Sequence, residues 1–334
     1  MNDQSTLPRF FTATDAPPDG LAGQSVVVLG YGNLGRALAL NLRDASSLPL
    51  IGNIEDEYAA QARADGFEVK SLAEATAAAD ICLALLPDEV LPEVFTNHIA
   101  PALKEHAAIV LASGYTLAYG LIRPADNVDV LLMAPRMGGE TIRKRYLNGE
   151  GFFTYISVEQ DASGRAWPRL LGLTDAVGSL RMAALELDAR READLDLFIE
   201  QSMGAIVGLA IMVAFDLGVK AGIPPEAMAL EMYMSGEMEE VFRAFRQTGF
   251  FKASEFHGPT ALYGGMSATM ALDRAGMEKQ FQRVLDDIRS GEFARRFQAE
   301  REAGYPLLKM ARQMIVGSNP ISDAEESVRR NLSR

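Results

Sequence analysis

The sequence predicts an α/β chain, with a doubly wound parallel sheet in its first half and helices alone in its second. Three observations carry that expectation. Short runs that are apolar at every position alternate with alanine-rich helical stretches from Ser25 onward. A glycine loop, Gly30-Tyr31-Gly32-Asn33-Leu34-Gly35, joins the first such run to the first helical stretch. Beyond Arg181 the strand signals stop and long helical stretches take over. Strands apolar throughout and separated by helices belong to a sheet covered on both faces.

Taken in order, residues 1–24 are polar, carry the turn cluster Pro17-Pro18-Asp19-Gly20 and read as a loose lead-in. Strands are predicted at Val26–Leu29, Leu48–Ile51, Ile81–Leu86, Ala108–Leu111 and Val128–Met133, with a further β-type stretch at Phe152–Val158. Helices between them fall at Leu34–Arg43, Asp56–Asp65 and Leu72–Ala78. The second half reads as helices at Ala183–Asp216, Pro225–Gln247, Ala268–Ser290, Phe293–Ala303 and Pro306–Ile315, ending in Asp323–Leu332. Pro224-Pro225 after Gly222 marks a helix stop and a new start. The expected domains are therefore residues 1–182, dinucleotide-binding, and 183–334, helical. The apolar run Gly204–Phe215 is closed by Asp216, falls short of the ~20 residues that span a bilayer, and reads as a buried helix.

Composition narrows the function. The 334 residues hold 32 Lys and Arg against 45 Asp and Glu, a net charge of −13. Such a field repels polyanions, which argues against nucleic acid and anionic membranes as partners. A small anionic substrate held by a few local donors remains compatible. Cys82 is the single cysteine, so neither an intrachain disulfide nor a cysteine zinc site is expected. His98, His106 and His257 are too widely spaced for a histidine metal site. The first residues show no basic region followed by an apolar stretch, and the chain suits a reducing cytoplasm.

The glycine loop carries the sharpest chemistry. Gly30 permits the tight turn, Gly32 lets the backbone approach a diphosphate, and Gly35 lets the helix pack close to the strand. The helix N-terminus then faces the phosphates. The segment after the second strand, Gly52-Asn53-Ile54-Glu55-Asp56, holds no cation, and no Arg or Lys occurs between Arg43 and Arg63. A 2′-phosphate would meet repulsion there, so NAD(H) is favoured over NADP(H), with Glu55 on the ribose hydroxyls. Alternatively, Glu55 and Asp56 are only the acidic first turn of the next helix. In the second half Asp196 and Glu200 stand four residues apart on one helix face. Two carboxylates at that spacing suit Mg²⁺, which keeps several waters, or form a solvated face.

Several segments, in order, resemble those of the ketol-acid reductoisomerases, the second enzyme of branched-chain amino-acid synthesis. They are the loop from Gly30 to Asp44, Pro87-Asp88-Glu89, Gln160-Asp161-Ala162-Ser163-Gly164, Asp196-Leu197-Phe198-Ile199-Glu200-Gln201 and Thr260-Ala261-Leu262-Tyr263-Gly264. The resemblance runs from about residue 22 to 332 and fits the short form of the family. It implies a Rossmann-type first domain and a knotted, dimerising, all-helical second domain of the 6-phosphogluconate-dehydrogenase-like kind. Active sites would draw on both chains of a homodimer or larger homo-oligomer. The implied reaction has two steps. Two Mg²⁺ ions polarise a 2-hydroxy-2-alkyl-3-keto acid while an alkyl group migrates, and NAD(P)H then reduces the 2-keto group. Asp196 would bridge the metals, Glu200 would bind one, and Pro87 and Asp88 would join the loop on the cofactor.

Departures from the family pattern fall on functional positions. Ala112-Ser113-Gly114-Tyr115 stands where the family has Ala-His-Gly-Phe, and Ala134-Pro135-Arg136 where it has Ala-Pro-Lys. Leu34, Arg36 and Leu38 replace a Gln and two His of the loop. Aligned back from Thr260, the family's last helix Glu falls on Glu237, the Glu before it on Tyr233, and a substrate-binding Ser on Gly258. A shifted register would restore one carboxylate at Glu231. Tyr233 either donates its phenol or fills vacated volume, and His257 is either a donor or a surface-loop residue. Arg136 keeps the lysine's charge without readily releasing a proton and forks onto a carboxylate. These changes touch alkyl migration more than hydride transfer. The expectation is an NAD(P)H-dependent reductase of a small anionic 2-keto acid or related carbonyl or imine, with Asp196, Glu200, Glu237, Arg136 and Ser113 at the chemistry. The alternatives are a full Mg²⁺-dependent reductoisomerase, taking 2-acetolactate to 2,3-dihydroxy-isovalerate, and a non-catalytic nucleotide-binding sensor or scaffold.

Overall fold

Val26 and Val28 point into one hydrophobic core and Val27 and Leu29 into another in the computed structural model of the chain, which describes residues 8–253, 258–317 and 319–333. Successive side chains of a strand face opposite ways. A strand buried on both faces must therefore be apolar at every position, and this one is. The described residues form one sheet of nine strands: β1 (Phe10–Phe11), β2 (Val26–Leu29), β3 (Leu50–Gly52), β4 (Val69–Lys70), β5 (Ile81–Ala84), β6 (Ala108–Leu111), β7 (Asp129–Pro135), β8 (Phe153–Gln160) and β9 (Ala183–Glu186). Their spatial order is β1-β9-β8-β7-β6-β5-β2-β3-β4. The chain winds outward through β3 and β4, then crosses back to β5 and winds the other way. The order reverses between β2 and β5, where ligands of such sheets bind at the carboxyl ends of the strands.

Helices α1 (Asn33–Asp44), α2 (Glu57–Ala64), α3 (Leu72–Ala78), α4 (Leu91–Val94), α5 (Tyr115–Ala118), α6 (Gly139–Leu147), α7 (Ala166–Ala176) and α8 (Ala189–Ile199) connect the strands and follow them. Leu38 and Leu42 of α1 pack on one face with Leu170 and Leu173 of α7. Leu72 and Ala75 of α3 pack on the other with Phe95 and Ile99.

The sheet is parallel-dominated but not wholly parallel, because β8 runs antiparallel to β7 and β1 antiparallel to β9. Two expectations need correction. The lead-in is not loose: Phe10 pairs with Leu185 and Phe11 with Ala184, and the Arg9 guanidinium lies 4.7 Å from the Trp167 ring centre. Ala183–Glu186 does not begin a helix but forms β9, in parallel register with Phe153–Ile156. Non-local pairing overrides the helical preference of Ala-Ala-Leu-Glu.

The chain divides into two units, Met1–Leu195 and Asp196–Arg334, with the division inside α8. The second unit is helical among its described residues. A π turn (Glu200–Gly204) leads into α9 (Ala205–Lys220) and α10 (Pro225–Ala229). A second π turn (Leu230–Met234) precedes α11 (Glu237–Thr248), α12 (Phe250–Ala253), α13 (Pro259–Ala271), α14 (Arg274–Arg289), α15 (Glu292–Glu302), α16 (Pro306–Val316) and α17 (Pro320–Leu332). Gly236, at φ 85°, separates α11 from the turn before it, so Pro225–Gln247 is not one helix. The expected burial of Gly204–Phe215 is also corrected. The helical run Ala189–Lys220 has an apolar stretch of mean hydropathy 2.0 that is 11% buried. That helix is long and apolar enough to cross a membrane, which for a single helix is weak evidence of a span.

Candidate active site

The glycine loop is built by steric exclusion. Gly30 sits at φ 94°, and a Cβ there would come 2.7 Å from the Leu85 carbonyl oxygen. A Cβ on Gly35 would run into the Gly30 carbonyl oxygen, so α1 packs against the turn only without one. Gly32 differs: a Cβ there would meet no atom within 4 Å, and Gly32 lines a cleft of about 680 Å³. Asn33 and Leu34 line the same cleft, as do Pro87, Asp88 and Ser113. Ile54, Leu72, Val90, Leu91 and Val94 give it an apolar end. No side chain caps α1, so its first N–H groups are available to an outside acceptor. A loop without a Cβ over uncapped N–H groups fits the diphosphate of a dinucleotide, and the apolar end fits an adenine.

The loop is braced from below. The Asn53 carboxamide is buried; its Oδ1 accepts from Tyr31 N at 3.1 Å and its Nδ2 donates to Asp56 Oδ1 at 2.8 Å. The Tyr31 hydroxyl donates to Asp65 Oδ2 at 2.9 Å, and burial first, then Asp65, raises its pKa. Arg36 forks onto Asp65 at 2.7 and 3.1 Å. Hydrogen bonding from Arg36 holds the Asp65 carboxyl below its usual range.

Glu55, expected on the ribose, does not line the cleft. It is exposed and paired with the Arg63 guanidinium at 2.5 and 3.0 Å. Its neighbour Asp56 does line the cleft, and Asp56 Oδ1 also caps α2 by accepting from Ala59 N at 3.0 Å.

At the β6 and β7 ends a second group forms. The Ser113 hydroxyl donates to Asp88 Oδ2 at 3.4 Å and accepts from Tyr115 N at 3.2 Å. Glu192 is buried at 1% exposure. Its Oε2 accepts from Gly114 N at 2.7 Å and its Oε1 from Arg136 Nη1 at 3.0 Å. Arg136 also lies 5.1 Å from the centre of the Tyr155 ring. Gly114 must be a glycine here, because a Cβ would run into the Ala189 carbonyl at the start of α8. Ser113 and Arg136 are thus joined through Glu192 and Gly114. Sequence reasoning missed Glu192, although Glu192, Asp196 and Glu200 are spaced at four-residue steps along one helical run.

In the second unit, Asp196 lies in the last turn of α8 and Glu200 opens the π turn that follows. Two carboxylates one turn apart match the one or two that Mg²⁺ takes alongside water. Among the described residues no group of three or more His, Cys, Asp or Glu is gathered as a metal cluster, and Glu237 stands apart, exposed at the start of α11. Tyr233 donates its phenol to Glu325 Oε1 at 2.7 Å, bracing α17. Burial, then Glu325, pushes its pKa up to about 12. Gly258 caps α13, and a Cβ there would meet nothing within 4 Å. His257 lies outside the described residues.

Known proteins resemble the whole chain. The family model described as the acetohydroxy acid isomeroreductase NADPH-binding domain matches residues 20–183. The model described as the ketol-acid reductoisomerase C-terminal domain matches residues 190–334. A putative ketol-acid reductoisomerase 3 of Saccharolobus solfataricus is 35% identical over 97% of this chain and 98% of its own. The ketol-acid reductoisomerase (NADP(+)) of Caldivirga maquilingensis is 33% identical over 89% and 90%. The solved structure of an NADH-preferring ketol-acid reductoisomerase from an uncultured archean superposes with a TM-score of 0.90 at 30% identity, covering 96% of this chain and 98% of that one.

Proposed function

This chain belongs to the ketol-acid reductoisomerase family, and from that premise we propose that it moves hydride from NADH to the 2-keto carbon of a small anionic acid. Its family makes it an NAD(P)-dependent oxidoreductase. The observation that carries the finer reading is a contrast. The glycine cradle and its cleft are intact, while Ser113 and Arg136 stand where the family has His and Lys. Hydride transfer needs a bound nicotinamide, a polarised carbonyl and a proton for the alkoxide. The Ser113 hydroxyl, held by Asp88, lines the cleft and is a candidate for that proton. The planar Arg136 guanidinium forks onto a carboxylate and so suits a substrate carboxylate better than proton traffic. The test gives the enzyme NADH and Mg²⁺ with either 2-acetolactate or a ready-made 2-keto acid. Turnover of the keto acid with little of the acetolactate supports the proposal. Equal turnover of both favours the full reductoisomerase, a reading that the retained Asp196 and Glu200 support.

Asp56 supports NADH over NADPH. One carboxylate oxygen caps α2, and the residue lines the cleft where a ribose would lie. A 2′-phosphate there would face a fixed negative charge. Asp196 and Glu200 are the residues that would hold Mg²⁺, which supplies polarisation of the substrate oxygens. The exposed apolar face of α9, with Leu209 and Leu217 at 53% and 61% exposure, supports a second copy as its cover. The single buried cysteine is compatible with a cytoplasmic setting.

A further inference from the structure

Gly139 comes 104 residues after Gly35, outside every motif of the nucleotide loop. Yet its α-carbon lies against that loop. A Cβ built there would run into the Asn33 carbonyl oxygen and come within 2.6 Å of the Asn33 carbonyl carbon and 3.0 Å of Asn33 Oδ1. The first two obstacles are backbone and cannot rotate away. Gly139 is the first residue of α6, and Asn33 is the first of α1.

The seat is locked one turn further along. Arg143 donates to Asn41 Oδ1 at 2.8 Å and to Asp44 Oδ2 at 2.5 Å, both on α1. Asn41 is buried and itself donates to the Val177 carbonyl at 2.9 Å. The far end of α1 is therefore tied to α6 by Arg143, and its near end rests on Gly139. With one end fixed, any side chain at 139 must push the other.

We infer that Gly139 is a positioning residue for the nucleotide. Its missing side chain lets α6 seat against Asn33 and so sets where the first N–H groups of α1 stand. The inference rests on the reading that the cleft takes a dinucleotide. It adds a requirement that the glycine fingerprint does not contain.

The test titrates the full chain with NADH, ADP-ribose and adenosine, the last by ligand-observed NMR. Gly139→Ala should weaken NADH and ADP-ribose about tenfold, to similar extents, because small misplacements of a binding frame cost this much or more. Adenosine, which lacks the diphosphate, should change less than about twofold. Arg143→Met unlocks the seat without inserting atoms, and carries the test should the alanine variant fail to fold. It should weaken NADH about threefold in the same pattern. Phe215→Ala, a cavity in the core of the second unit, should lower Tm while leaving all three affinities unchanged. NADH binding unaltered in both loop variants overturns the inference, as does an equal loss for adenosine. A wild-type chain that binds neither NADH nor ADP-ribose overturns the dinucleotide reading beneath it.

Discussion

Arg136 and Glu192 form an ion pair at 3.0 Å whose carboxylate is buried at 1% exposure and whose second oxygen holds Gly114 N at 2.7 Å. One side chain thereby fixes the loops after β6 and β7 together. The arginine is the more exposed partner, at 26%. Removing the carboxylate strands a buried amide and leaves the guanidinium without this partner. Glu192→Ala should cost about 2–3 kcal/mol of stability, read by urea denaturation. Glu192→Gln keeps an acceptor for Gly114 and should cost about 1 kcal/mol. Both should raise KM for a keto acid through Arg136. A full-stability alanine variant would show that the pair carries no structural weight.

Asp56 and Glu55 separate two explanations of nucleotide preference. Asp56→Ser keeps a capping oxygen for α2 and removes the charge from the cleft. It should lower KM for NADPH about tenfold while NADH worsens. Glu55→Gln should change either KM by less than about twofold, because Glu55 is spent on Arg63 outside the cleft. The reverse order of effects in steady-state kinetics would restore Glu55 to the ribose.

How much of this was legible follows from where each cause lies. The strand Val26–Leu29 and the loop from Gly30 to Gly35 announce themselves, because two-sided burial and steric exclusion act within a few residues. β9 does not, since Ala183–Glu186 becomes a strand only by pairing with β8 and with Phe10–Phe11. Glu192 stands in the sequence among Arg190, Arg191 and Asp194, with no local feature that marks it. Its burial depends on Gly114 and Arg136, 78 and 56 residues upstream. Which of two adjacent acids faces the cleft is likewise set by how α2 begins, not by their order in the chain.

Asp65 ties the loop's brace to pH. The hydrogen bonds from Arg36, then Tyr31, hold its folded-state pKa below the unfolded value of about 3.9. A lowered carboxylate pKa stabilises fully above the unfolded value, and the benefit is lost as pH falls through the folded one. Asp65→Asn should therefore lower Tm at pH 6. The gap to wild type should close as both are taken below about pH 4. A gap that stays constant down to pH 2.5 would show that the charge is not what matters.

Cys82 lies fully buried in β5, and burial pushes its thiol pKa up to about 12. Thiolate is the reactive form. The folded chain should resist a water-soluble thiol reagent at pH 8 and react at once in denaturant. Rapid modification of the folded chain would mean that the β2–β5 seam opens readily.

The α9 face makes the assembly testable. Leu209, Met212, Val213 and Leu217 are each 47–61% exposed on the single chain, on a helix whose apolar stretch is only 11% buried. Monomeric proteins rarely leave contiguous patches of more than a few hundred Å². Covering the exposed half of each such side chain gains about 1 kcal/mol. A second copy would supply a matching apolar face, because a two-fold interface presents the same surface twice. Light scattering after size exclusion should give at least twice the chain mass. Leu209→Glu with Val213→Glu should yield monomer or aggregate without turnover, while the first unit keeps its NADH affinity. A wild-type monomer that instead floats with lipid vesicles would assign this face to a bilayer.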